Sequence, residues 1–166
     1  MDILVLLKLC VLKDPHVQSK RVADELFVRP SEITQSIKRC KTSGLILRSS
    51  PEKEVNQSGL LEFLIHGFRF VFPAQRGGLI RGVPTGIGAP PLKAQFQDMG
   101  DPPPVWPDKD GKIRGFSFLP LHRQVPKAAL LDPQLYELLA LVDALRGERV
   151  RERQLAKEEL TKRLDR

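Results

Sequence analysis

The chain has 166 residues, of which 41% are hydrophobic and 28% charged. Those values exclude a disordered or membrane-spanning chain, and the length is enough to bury a core without a metal or disulfide staple. The formal net charge is +7, and the first fifty residues, with nine Lys/Arg against five Asp/Glu, hold more than half of that excess. A local cationic surplus suits a partner that carries phosphates, because neutralised phosphates release condensed counterions.

Ile3, Leu6, Leu7, Cys10 and Val11 recur at helical spacing, with Asp2 placed as a cap and Asp14-Pro15 as a stop. This first helix is apolar nearly all round, so it needs cover on more than one side, from within the chain or from a second subunit. The run is too short to span a bilayer and lacks a basic leader or a cleavage site, which implies a cytoplasmic protein with no membrane contact. Cys10 and Cys40 fall at apolar helical positions and have no metal-ligand spacing, so both are expected as small core residues in a reducing compartment.

Ser19 is expected to cap a second, short helix that buries Val22, Ala23 and Leu26. Phe27-Val28-Arg29-Pro30 then forms a turn, because Pro30 keeps Arg29 out of the helical region. Ser31 is expected to cap a third helix, ended by Gly44 in the position where positive φ costs least. At about 100° per residue, Ile33, Ile37 and Cys40 share one side of it, and Ser31, Gln35, Lys38, Arg39 and Thr42 the opposite side. Amide, hydroxyl and guanidinium groups on one acid-free face are what reading base edges in a major groove requires. Glu32, beside that face, either accepts from a cytosine amine or merely suits the helix N-terminus. Ser19, Lys20 and Arg21 stand at the start of the second helix, where free N–H groups and cations can hold a phosphate.

Leu45-Ile46-Leu47 reads as a short strand, and residues 48–58 as polar and without a clear second strand. Leu60, Leu61, Leu64 and Ile65 mark a fourth helix closed by Gly67, and Phe68-Arg69-Phe70-Val71-Phe72 reads as a strand. Residues 75–92 and 98–112 read as long Gly/Pro loops, the second of which holds Trp106 either as an exposed aromatic or as a plug on the core. Residues 113–119 read as a strand. Asp132-Pro133 starts a strong helix through Leu135, Leu138, Leu139 and Val142 to Gly147, and a charged last helix runs over 148–164.

His16, His66 and His122 show no i, i+4 pairing and no Gly-x-Ser-x-Gly elbow or phosphate-loop motif is present. No catalytic residue, metal site or cofactor site is therefore nominated, and the expectation is a protein that is not an enzyme.

The segment Val22-Ala23-Asp24-Glu25-Leu26-Phe27-Val28-Arg29-Pro30-Ser31-Glu32-Ile33-Thr34-Gln35-Ser36-Ile37-Lys38-Arg39-Cys40-Lys41-Thr42-Ser43-Gly44-Leu45-Ile46 resembles the helix-turn-helix of MarR-type winged-helix transcription regulators. The shared marks are Ala and Leu in the second helix, Ser at the start of the third, two Ile inside it, Lys-Arg outside, and Gly-Leu-Ile after it. The match lies within residues 17–47. It departs from the family after Gly-Leu-Ile, where no Asp-x-Arg wing element follows; either the wing is short or the Gly-rich stretch, with Arg76 and Arg81, takes its place against a minor groove. The run Asp132-Pro-Gln-Leu-Tyr-Glu-Leu-Leu-Ala-Leu-Val-Asp-Ala-Leu-Arg146 resembles bacterial helix-turn-helix proteins encoded beside a toxin or defence enzyme.

The fold expected is mainly α with a small β-sheet: a winged helix-turn-helix domain over 1–73, a Gly/Pro loop region over 74–112 packing on it, and a strand with C-terminal helices over 113–166 for dimerisation or partner binding. The function expected is a homodimeric, sequence-specific double-stranded DNA-binding repressor, with two copies of the third helix in successive major grooves and pairing through the first and C-terminal helices. The alternative is an antitoxin-like protein-interaction module that binds a protein encoded nearby.

Overall fold

The computed structural model describes residues 1–49, 52–96 and 100–164. The chain is mainly helical with one small three-stranded sheet. Helix α1 (Asp2–Leu12) has every residue from Ile3 to Cys10 buried. Its cover comes from within the chain, from α2 (Ser19–Leu26), α3 (Pro30–Ser43) and α7 (Pro133–Arg146). The open choice between a subunit interface and a sandwiched helix is settled for the second, and α1 keeps no apolar face for pairing subunits.

The one cation on α1, Lys8, is also buried, with its ammonium 2.5 Å from Glu25 and 2.6 Å from Asp132. A buried charge needs such partners. Asp132 in addition accepts the Leu135 N–H and caps α7, as its place before Pro133 predicts. Asp2 makes no cap bond at α1. Cys10 and Cys40 are free and buried, and burial pushes their thiols up to about 12 and about 11, which leaves them inert.

Beyond α3, Ile46 bridges Val55, with Leu47 N–H donating to Glu54 and Asn56 N–H to Leu45. Residues 48–58 thus hold a second extended partner that the sequence did not reveal, although residues 50 and 51 lie outside those described. Asn56 caps α4 (Gln57–His66) by accepting the Gly59 N–H. The strand expected over residues 68–72 is instead a short helix, α5 (Phe68–Val71), entered through Gly67 in the right-handed helical region. Helical spacing brings the Phe68 and Phe72 rings to 5.1 Å and sets Phe63 edge-on to Phe68. That stacking rewards a helix over an alternating strand.

The expected loops also need correction. Strand β1 (Arg76–Pro84) occupies much of residues 75–92, and β2 (Pro104–Pro107) lies in the second stretch, whose residues 98 and 99 are not described. With β3 (Ile113–Phe118) they close a three-stranded barrel in which β1 runs antiparallel to both others and β2 runs parallel to β3. Closure so tight requires glycine: a Cβ on Gly82 would sit 2.0 Å from the Trp106 carbonyl oxygen, and one on Gly115 would sit 2.1 Å from that of Pro103. The sheet joins strands from both sides of residue 112.

Trp106 is fully buried, a plug and not an exposed aromatic. Its indole N–H donates to Asp143 at 2.6 Å, and Thr85 donates to the same carboxylate oxygen at 2.8 Å. Burial pushes the Asp143 carboxyl up against the opposing pull of Arg146 and these two donors. Arg146 pairs with it at 2.7 Å and also donates to the carbonyls of Phe72, Pro73 and Leu119. One turn of α7 therefore fastens the barrel and both its flanks.

Helix α6 (Val125–Leu131), which begins with Pro126 in its first turn, precedes α7 and packs on it and on α2. Helix α8 (Val150–Leu164) lies on α7 and α4 through Glu152, Ala156, Leu160 and Leu164, one residue per turn. The seam is narrow, and Val150, which is apolar, lies outside it and is exposed.

Candidate nucleic-acid interface

Helix α3 starts two residues earlier than a Ser31 cap would place it. Arg29 is the N-cap, extended at ψ 144°, Pro30 is the first helical residue, and the Glu32 carboxylate accepts the Arg29 N–H at 2.9 Å. Glu32 is thus spent on its own helix terminus. Gly44, at φ 78°, ends the helix in the left-handed region as expected.

The two-sided pattern of α3 is present. Ile33 and Cys40 are buried, Ile37 is half-buried, and Ser36, which the helical projection did not place inside, is buried with them. Ser31, Thr34, Gln35, Lys38, Arg39 and Thr42 are exposed. Thr34 and Thr42 donate to the carbonyls of Pro30 and Lys38. Their hydroxyl oxygens are left to face outward as acceptors.

Arg39 differs from its neighbours. Its guanidinium grips the Asp2 carboxylate through two bonds, Nε to Oδ2 at 2.8 Å and Nη2 to Oδ1 at 2.5 Å. The pairing holds the Asp2 carboxyl below its ordinary value and raises Arg39. Arg39 therefore locks α3 to the start of α1 and is not a free cation on the exposed face of α3. Arg21 is engaged in the same way, with its Nε 2.8 Å from Glu25. Ser19 is the first residue of α2 with Gln18 as N-cap and makes no cap bond, and Lys20 is exposed beside it.

One cation escaped the sequence reading. Arg48, beyond the helix, donates to the carbonyls of Lys41 and Thr42 and so covers the negative end of α3. Thr34, Ile37, Lys38, Lys41, Thr42 and Arg48 together line an open hollow along the outer side of the helix. A cation at the helix C-terminus is a recognisable signal, but its spacing from Lys41 depends on the turn that Gly44 makes.

Arg76 and Arg81 belong to β1 and are held by the barrel, which is hydrogen-bonded to α7 through Trp106 and Pro84, whereas α3 packs on α1 and α2. Arg76 lines a cleft with Arg149 and Glu152, and Arg81 lies directly across from Arg114 of β3. They are parts of a different unit from the α3 face.

His16 lies 3.2 Å from Glu52, and the His122 ring nitrogen accepts the Gln124 N–H. Among the described residues no group of three His, Cys, Asp or Glu side chains is placed to hold a metal, and no helix is long and apolar enough to cross a membrane. Comparison with protein-family models, with curated proteins and with solved structures finds no match to this chain.

Proposed function

We propose that the chain is a sequence-specific double-stranded DNA-binding transcriptional regulator of the winged-helix kind, a homodimeric repressor acting in the cytoplasm. Helix α3 enters the major groove, with Gln35 on an adenine edge, Lys38 on a guanine or phosphate, and Ser31 and Thr42 beside them. Lys20 and Arg48 meet the flanking backbone, and the extended pair around Ile46 and Val55 takes the place of a wing.

The observation that carries this reading is the outer strip of α3. Ser31, Gln35, Lys38 and Thr42 are all exposed, while the only acid on the helix, Glu32, is turned back onto Arg29. Polar groups held on a fixed helix and backed by Ile33 and Cys40 are pre-organised for base edges. Pairing of two subunits falls to the C-terminal helices, because α1 is covered and Leu130 and Leu131 of α6 are exposed.

The test is a DNA titration over a range of salt, with the duplex selected from a pool of fragments. Gln35→Ala relaxes base preference at one position, at a cost of about 1–3 kcal/mol on the preferred duplex. Lys38→Ala weakens binding to every duplex and flattens the salt slope by about one unit. Binding that neither substitution alters overturns the assignment.

A further inference from the structure

The β1–β3 ribbon carries a second surface. Strand β1 pairs with β3 at Arg76 and again from Leu79 to Gly82, with a shift of register between Arg76 and Leu79, and meets β2 only from Gly82 to Pro84. From Arg76 to Ile80 it has a strand on one side alone, while the Arg81 carbonyl accepts the Asp108 N–H. Every residue from 76 to 81 is exposed, and a Cβ on Gly78 would meet nothing within 4 Å. An edge of this kind is a template for another strand.

Its side chains are of two kinds. Leu79 lies across from Phe116, and these two with Ile80 and Ile113 are 40–48% exposed. Two residues along the same face, Arg81 lies directly across from Arg114. Like charges placed opposite each other destabilise a sheet. Among the described residues neither arginine has a side-chain hydrogen bond or an ion pair. The ribbon thus keeps an unneutralised pair of guanidinium groups next to uncovered aliphatic and aromatic side chains.

We propose that this ribbon binds an extended, acidic segment of another protein, added as a strand to the free edge of β1. Apolar residues of the segment lie beside Leu79 and Ile80, and its carboxylates lie beside Arg81 and Arg114. A second copy of the chain is a poor occupant, because it brings the same arginines against each other. A phosphate backbone satisfies the arginines but offers nothing to Leu79 and Phe116. The inference stands apart from the DNA reading of α3.

The test uses the full chain and a short fluorescein-labelled peptide of glutamate, isoleucine and valine, followed by anisotropy and amide hydrogen exchange. The acidic peptide binds and raises protection over residues 76–80, and the same peptide with lysine for each glutamate does not bind. The double variant R81E with R114E reverses that preference. Leu79→Ser, with both arginines kept, weakens the acidic peptide by about tenfold without lowering the melting temperature. Lys38→Ala leaves peptide binding as it was. Equal binding of the two peptides, no binding of the acidic one, or capture of duplex DNA through Arg81 and Arg114 in its place overturns the proposal.

Discussion

The three N-terminal helices and the barrel are held together by different means. In α1, α2 and α3 the contact is mainly aliphatic, with the Lys8–Glu25 and Arg39–Asp2 pairs beside it: Leu4, Leu6, Leu7, Val22, Leu26 and Ile33 are all 0% exposed. Full burial of such a side chain contributes about 1.5–3 kcal/mol. In the barrel, bare backbone meets backbone at Gly82 and Gly115, and polar groups fix it to α7 through Thr85, Trp106, Asp143 and Arg146. An aliphatic core tolerates small changes of shape, whereas a polar hub tolerates none of its members being lost. The face of α3 thus rests on a forgiving foundation, and the β1–β3 ribbon on an exacting one.

The sharpest way to break this contrast is Arg146→Met. It removes the donor to three carbonyls and leaves the Asp143 carboxylate buried without its cation, at a cost of about 3–5 kcal/mol. Urea denaturation reads the loss, and Trp106 emission reports the barrel opening; a variant as stable as the parent sinks the polar-hub account. Gly82→Ala comes next, because its Cβ would sit 2.0 Å from a carbonyl that is fixed in the ladder. The expected cost is about 1–3 kcal/mol, with Trp106 emission shifted while helical circular dichroism is kept. If the substitution is silent, the three strands do not close as described.

The smallest effect separates the α3 face from its anchor. Asp2 is held below its ordinary value by Arg39, so the folded state binds fewer protons than the unfolded one. The pair's contribution is fully present above about pH 4, the range of an unfolded aspartate, and is lost as the pH falls through the lower folded value. Arg39→Gln removes that part of the acid limb of stability and leaves the neutral-pH melting temperature nearly unchanged, because the pair is largely solvated. An acid limb identical in parent and variant removes Arg39 from its locking role.

The sequence made the helices legible where their order is local. The i, i+3, i+4 spacing in α1 and α7, Pro30 and Gly44 around α3, and Asp132-Pro133 before α7 are each read over a few neighbouring residues. The exposed strip of α3 was legible for the same reason. What failed was order set at a distance. Gly77, Gly78 and Gly82 look like loop residues until β3 and Trp106 are brought against the strand that contains them. Phe68-Arg69-Phe70 alternates as a strand does, and the ring packing of Phe63, Phe68 and Phe72 overrides that alternation. The lock on Arg39 was hidden because Asp2 is 37 residues away and suits a cap equally well. Helix α6 was missed because Pro126 in its first turn conceals the few apolar positions that follow.

The ammonium of Lys8 meets the Asp132 carboxylate across 124 residues of chain. As the chain leaves the ribosome, the most apolar of these helices emerges long before its cover on α7. Until then α1 is a greasy rod whose buried cation has Glu25 alone for a counterion. A fragment ending near residue 73 lacks that cover, and light scattering is expected to show it associating more than the full chain does.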